Sequence, residues 1–226
     1  TPLVQFLVAI CGFSIMSYAL YLELLVVPAP KASFSKGVDQ YLGKYVFLTV
    51  QTITILIIYW FLSALAYGSL LIGKEIKVLN DLLHKYSCVA GGFSFFLTIM
   101  FYVICWSNES FQREVVRPYE AKGIPFGRWQ HIVHAPSFSL ALLDAATRDP
   151  RMTRENLGAA WSYFRSYMAF AIWYSTMLSL NFKATQKWPY PFMNDLSHAK
   201  RALFYVGCSF AIFLLGSIHR YLLLSQ

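Results

Sequence analysis

His131 and His134 stand three residues apart, where the basic and aromatic stretch Ile124-Pro125-Phe126-Gly127-Arg128-Trp129-Gln130 runs into Ala135-Pro136-Ser137-Phe138-Ser139-Leu140. Histidine is costly in hydrocarbon, so one at membrane depth is a functional-site candidate. It is also the side chain best suited to moving a proton near neutral pH. A base of this kind needs a nucleophile within hydrogen-bond reach, often with a third group holding the base. Thr49 is one such nucleophile by type, and Thr52, three residues on and on the same helix face, is its rival. Glu23, near the end of another apolar run, is the nearest carboxylate by depth. The competing chemistry is a metal, with His131 and His134 as two ligands and Glu23 or Asp144 as a third. No His-Glu-x-x-His pattern supports it. No Gly-x-Ser-x-Gly elbow places the chain among the α/β-hydrolases.

The elements that position these residues follow from composition. Of 226 residues, 57% are hydrophobic and only 13% charged, where a soluble domain carries about a quarter. Several apolar runs reach the roughly 20 residues that span a bilayer. The chain therefore reads as an all-α polytopic membrane helix bundle of about six transmembrane helices, in one domain over residues 1–226. The spans are expected at 3–27, 45–72, 86–106, 131–146, 158–180 and 200–224. Pro28 and Pro30 would end the first. The link 73–85 is expected to hold a short interfacial helix. Pro136 lacks an amide hydrogen, so the fourth span either starts there or kinks there, leaving the Ile132 carbonyl to bond elsewhere. Gly91, Gly92 and Ser94 offer a close helix contact, as small residues do in membranes.

The net charge of +8 lies mostly between the apolar runs. It reads as membrane flank and excludes a nucleic-acid footprint, which needs a basic stripe along a polar helix. Cys11, Cys88, Cys105 and Cys208 all lie within apolar runs, at spacings that fit neither zinc nor a disulfide framework. With six spans the odd-numbered loops, counting Lys200 and Arg201 at the start of the sixth span, carry 11 Lys and Arg and the even-numbered ones 6. The positive-inside rule then puts the odd loops in the cytosol and both termini outside. Whichever way the chain inserts, spans two and four start from the odd-loop face and span one ends on it. At about 1.5 Å per residue, Thr49 and His134 would lie roughly 5–6 Å below that surface, with Glu23 at a similar depth. The loop with Trp188-Pro189-Tyr190-Pro191 can cover them.

Several ordered segments carry a family resemblance. They are Lys44-Tyr45-Val46-Phe47-Leu48-Thr49, Arg113-Glu114-Val115-Val116-Arg117-Pro118, and Ile124-Pro125 with Trp129, His131 and His134. Trp188-Pro189-Tyr190-Pro191-Phe192 and Leu214-Leu215-Gly216 complete the set. In this order and spacing the chain resembles the androgen-induced / androgen-dependent TFPI-regulating protein family of integral membrane hydrolases. The resemblance implies a threonine hydrolase of fatty acid esters of hydroxy fatty acids, with Thr49 as nucleophile, His134 as general base and no cofactor. His131 and Glu23 would orient the base or bind a lipid carboxylate. Arg128 would hold that carboxylate at the interface, with Trp129 and Tyr190 in support. The chain departs from its relatives at Ala135, where they carry a hydroxyl residue, and at Asn181-Phe182-Lys183, where a histidine-bearing stretch is expected. The implied partners are the lipid substrate and membrane lipids, without nucleic acid, in the endoplasmic reticulum or plasma membrane. A non-enzymatic lipid-binding or transport protein of the same architecture is the alternative, and a catalytically inactive member a third reading.

Overall fold

In hydrocarbon each backbone polar group must find its partner within the protein, and a helix supplies those partners along its own length. The computed structural model describes residues 1–26, 43–157, 159–186, 188–190, 193 and 196–225, and among them there are helices and turns but no strand. Helix α1 (Pro2–Tyr21) runs on into a π turn, Leu22–Val26. A short 3-10 turn, Gly43–Val46, leads into α2 (Leu48–Leu71). Helix α3 (Lys77–Met100) also ends in a π turn, Phe101–Trp106. Two short helices, α4 (Glu109–Phe111) and α5 (Arg117–Glu120), flank a third π turn, Gln112–Val116. Then come α6 (Phe126–His134), α7 (Pro136–Thr147), α8 (Pro150–Asn156), α9 (Ala160–Thr185) and α10 (His198–Leu224). The expected ends at Pro28 and Pro30, the loop lysines Lys31, Lys36 and Lys187, the start at Gly158, and Pro191 and Phe192 lie outside the described residues.

Among the described residues four helices are long and apolar enough to cross a membrane: Pro2–Val26, Leu48–Leu71, Lys77–Trp106 and His198–Leu224. The expected count of six is not reached on this measure, for two physical reasons. The fourth span comes as α6 and α7, of 9 and 12 residues, and at about 1.5 Å per residue neither alone crosses some 30 Å of hydrocarbon. Helix α9 has the length, 26 residues, but Arg165, Lys183 and many hydroxyl side chains dilute it. The expected interfacial helix at 73–85 is not a separate element. Helix α3 starts at Lys77 and continues without a break, because Asn80, Leu83, His84 and Ser87 already face the protein interior.

Helix α3 is the centre of the bundle, packed against α2, α7, α9 and α10. Lipid tails are as apolar as leucine, so such contacts depend on close packing and internal hydrogen bonds. The glycines permit both. A Cβ on Gly91 would strike the His219 ring, and one on Gly92 or Gly216 would strike the Tyr167 hydroxyl. That hydroxyl, from α9, donates to the Cys88 carbonyl of α3 at 2.6 Å. A buried polar knot joins α2, α3 and α7 at the other end. Tyr59 Oη donates to Asp144 Oδ2 at 2.6 Å, and Arg148 Nε to the same oxygen at 3.1 Å. Arg148 also donates to Tyr59 Oη and, at 3.2 Å, to His84 Nδ1. Burial opposes the guanidinium charge, but Asp144, Tyr59 and Tyr67 outweigh it and hold Arg148 protonated. The outer faces of α9 and α10 are apolar, with Ile172, Trp173, Leu203, Phe210 and Ile218 exposed.

Candidate active site

The first turn of a helix leaves its amide hydrogens without partners inside the helix. In α2 that turn is Leu48, Thr49 and Val50, entered from an extended Phe47 (φ −83°, ψ 136°) that gives no side-chain cap. The Leu48 amide donates instead to Tyr190 Oη at 3.0 Å. Thr49 sits half-buried on this turn, and Thr49 Oγ1 lies 3.3 Å from His134 Nε2.

His134 closes α6 and is 5% exposed. Its Nδ1 contacts the Gln130 carbonyl at 2.8 Å. A carbonyl only accepts, so Nδ1 carries the hydrogen and Nε2 of the neutral ring presents its lone pair to Thr49. The imidazole lies flat on Phe101, with centroids 3.9 Å apart and planes 9° from parallel. The Pro136 break directs bonds to the backbone here as well. The carbonyl that receives them is that of His134, from Thr98 Oγ1 at 2.5 Å and Ser137 Oγ at 3.2 Å; the expectation named that of Ile132. Helix α6 ends at His134 and α7 begins at Pro136, so the break falls at the proline, with both histidines ahead of it in α6 and not in an entry turn of α7.

The remaining expected site residues divide. Glu23 reaches the Gln130 side chain and lies beside Lys44, whose ammonium donates to the Glu23 carbonyl. Its link to the base therefore runs through Gln130. Burial lowers the Lys44 pKa, and the Glu23 charge acts against that shift. His131 turns away from Thr49: its Nδ1 bonds Tyr102 Oη at 2.7 Å and its ring packs on the edge of Trp106. Thr52 is fully buried, its hydroxyl has no partner among the described residues, and it lines neither cavity that Thr49 lines. Arg128 is exposed, and Trp129 packs half-buried between the main core and the Val115–Val116–Phe126 cluster. Tyr190 stands at the site, and burial raises its pKa to about 12, so the hydroxyl stays protonated. Asp144, the third metal ligand considered, belongs to the Arg148 knot. Among the described residues no group of three His, Cys, Asp or Glu is arranged to hold a metal.

Two cavities meet at the Thr49–His134 contact. One is nearly all apolar and lies between α2, α3, α9 and α10, with Phe96, Met100, Phe170, Phe204 and Ile212 in its wall. Counting the space on its open side, it encloses about 930 Å³. The other opens toward Glu23, Lys44, Phe111 and Pro189. Thr49, His134, Phe101, Cys105 and Tyr190 line both. The π turns Leu22–Val26 and Phe101–Trp106 bring Glu23, Phe101 and Cys105 to this end, in keeping with the frequent use of π-bulges at functional sites.

Sequence reading missed Phe101, Gln130, Thr98, Tyr174 and Tyr205. Gln130 was findable, because it lies one turn before His134 and so offers its carbonyl to that ring. The tyrosines look like any aromatic residue of a membrane span. At the second point of departure from the family, Asn181 is fully buried and Phe182 stacks on Trp188 at 4.5 Å.

No curated protein and no solved structure matches this chain. The model of the FAR-17a/AIG1-like proteins matches residues 4–222. That is the androgen-induced family whose motifs the sequence resembles. This membrane chain, with its threonine and histidine facing each other at the mouth of an apolar cavity, belongs to the FAR-17a/AIG1-like family.

Proposed function

We propose that the chain is an integral membrane lipid-ester hydrolase of the threonine type, acting on fatty acid esters of hydroxy fatty acids. The observation that carries the reading is the 3.3 Å contact from Thr49 Oγ1 to His134 Nε2, on a ring whose other nitrogen is tied to a carbonyl. Thr49 Oγ1 attacks the ester carbonyl carbon while its proton passes to Nε2. The tetrahedral adduct collapses, the hydroxy fatty acid leaves as an alcohol with the proton from Nε2, and the acyl group stays on Thr49. His134 then takes a proton from water, whose oxygen attacks the acyl-threonine; the acyl–Oγ1 bond breaks, Nε2 returns the proton to Thr49 Oγ1, and the second fatty acid is freed. No cofactor enters. The two cavities suit an ester with a chain on either side of the scissile bond: the apolar one takes one chain, and the one beside Lys44 takes the other. His131, Glu23, Arg128 and Trp129 support the site from outside the reacting atoms. The host membrane is the endoplasmic reticulum or the plasma membrane.

A fluorophosphonate probe on the detergent-purified protein tests this. Labelling should be lost in Thr49→Ala and His134→Ala and kept in Thr52→Ala, with folding unchanged. Labelling that survives Thr49→Ala moves the nucleophile elsewhere. Unlabelled, well-folded wild type favours the non-enzymatic lipid-binding or transport reading, which the apolar cavity would serve equally well.

A further inference from the structure

A buried hydroxyl without a partner forfeits its hydrogen bonds to water and gains nothing in return. In the apolar cavity one such group is conspicuous. Tyr190 and Tyr174 are tied into a circuit: the Leu48 amide donates to Tyr190 Oη at 3.0 Å, and the two hydroxyls lie 2.9 Å apart. Tyr174 Oη donates to the Val46 carbonyl at 3.2 Å. Because that carbonyl only accepts, the Tyr174 proton points to Val46 and the Tyr190 proton to Tyr174. Tyr205, from α10, lines the same cavity beside this pair, and its hydroxyl is buried with no hydrogen-bond partner among the described residues.

What could that hydroxyl meet? A lipid ester threaded through this cavity is alkyl along most of its length. With its carbonyl carbon at Thr49, the acceptors it brings to this end of the cavity are its ester oxygens. We propose that Tyr205 is the oxyanion donor of the site: its hydroxyl hydrogen-bonds the substrate's carbonyl oxygen and tightens on it as charge develops. This rests on the hydrolase reading above. As Thr49 Oγ1 bonds the carbonyl carbon, the C=O π pair moves onto oxygen and the threonine proton moves to His134 Nε2. The Tyr205 O–H stays on tyrosine and stabilises the oxyanion until collapse returns the pair and expels the alcohol. The Thr49 amide, on the first turn of α2, is a second donor with no acceptor inside its helix.

The test is the saturation kinetics of fluorophosphonate labelling of the full chain in detergent, comparing wild type, Tyr205→Phe and Thr49→Ala. Tyr205→Phe keeps the ring and removes only the donor. Its limiting rate should fall about a hundredfold, as for loss of one oxyanion donor, with half-saturation changed by less than about threefold, the pattern of a contact made in the transition state. A matched melting temperature certifies folding, and Tyr205→His, which keeps a donor, should fall between the two. A limiting rate within about threefold of wild type in folded Tyr205→Phe overturns the proposal. So does a loss confined to half-saturation, which would make Tyr205 a binding residue only. Wild type that does not label, or Thr49→Ala that does, overturns the hydrolase reading and this inference with it.

Discussion

A neutral imidazole has one donor and one acceptor, and at His134 the Gln130 carbonyl decides which is which. The consequence is a pH dependence of fixed sign. Protonated Nε2 cannot take the Thr49 proton, so hydrolysis should fall as pH drops through the His134 titration and level off above it. Measuring kcat/KM against pH checks this, and the acid limb should survive in His131→Gln. That variant should lose less than about tenfold in kcat, because His131 is committed to Tyr102 and not to Thr49. Tyr190→Phe breaks the circuit that fixes the residue before the nucleophile. It should cost about 1 kcal/mol of stability, the worth of an ordinary hydrogen bond, and slow labelling without abolishing it. A thermal melt and a labelling time course read the two effects separately.

At the scale of elements, the break between α6 and α7 sets the direction of His134. Proline supplies no amide hydrogen, and the chain around it is held by side chains of α3 and α7, Thr98 and Ser137. Pro136→Ala restores an amide that can close a regular helix onto the Ile132 carbonyl. The variant should be about as stable as wild type in a denaturant melt, since Pro136 occupies the first turn of α7, where a missing amide hydrogen costs little. It should also lose activity, because a straightened α6–α7 re-aims the imidazole. The glycine contacts make a second prediction. Gly92→Ala should destabilise by about 1–3 kcal/mol through overpacking against Tyr167. Tyr167→Phe removes the nearest atom in the way and leaves the Ile212 carbonyl oxygen, so the double variant should recover only part of the loss; a double-mutant cycle of melting free energies measures the coupling.

For the molecule as a whole, the two ends of the bundle have separate tasks. The Thr49 end holds the Thr49–His134 contact. The Arg148 knot, reached ten residues further along α2 at Tyr59, or about 15 Å away, joins α2, α3 and α7. Arg148→Ala leaves Asp144 buried without its charge partner, which costs about 3–5 kcal/mol in comparable cases. The expected outcome is a large drop in melting temperature with labelling per folded molecule unchanged. Equal loss of both would mean that the knot also shapes the site.

The sequence by itself determined that the chain is helical and lies in a membrane, because apolar runs of bilayer length have few other ways to satisfy their backbone. It also put Thr49, His134 and Glu23 at one depth, because alternating spans fix which ends share a face. The six-span count was less legible: the fourth span breaks into α6 and α7 at Pro136, and α9 has the length but is diluted by Arg165, Lys183 and its hydroxyl side chains. Only the tertiary structure decided which histidine faces the threonine, since α6 carries both and its rotation is set by Thr98 on α3 and Phe101 on the π turn that follows it. It alone separated Thr49 from Thr52, which share a helix face in one dimension and different surroundings in three. It alone brought Tyr174, Tyr190 and Tyr205 together, because residues from α9, the following loop and α10 meet only once the bundle has packed.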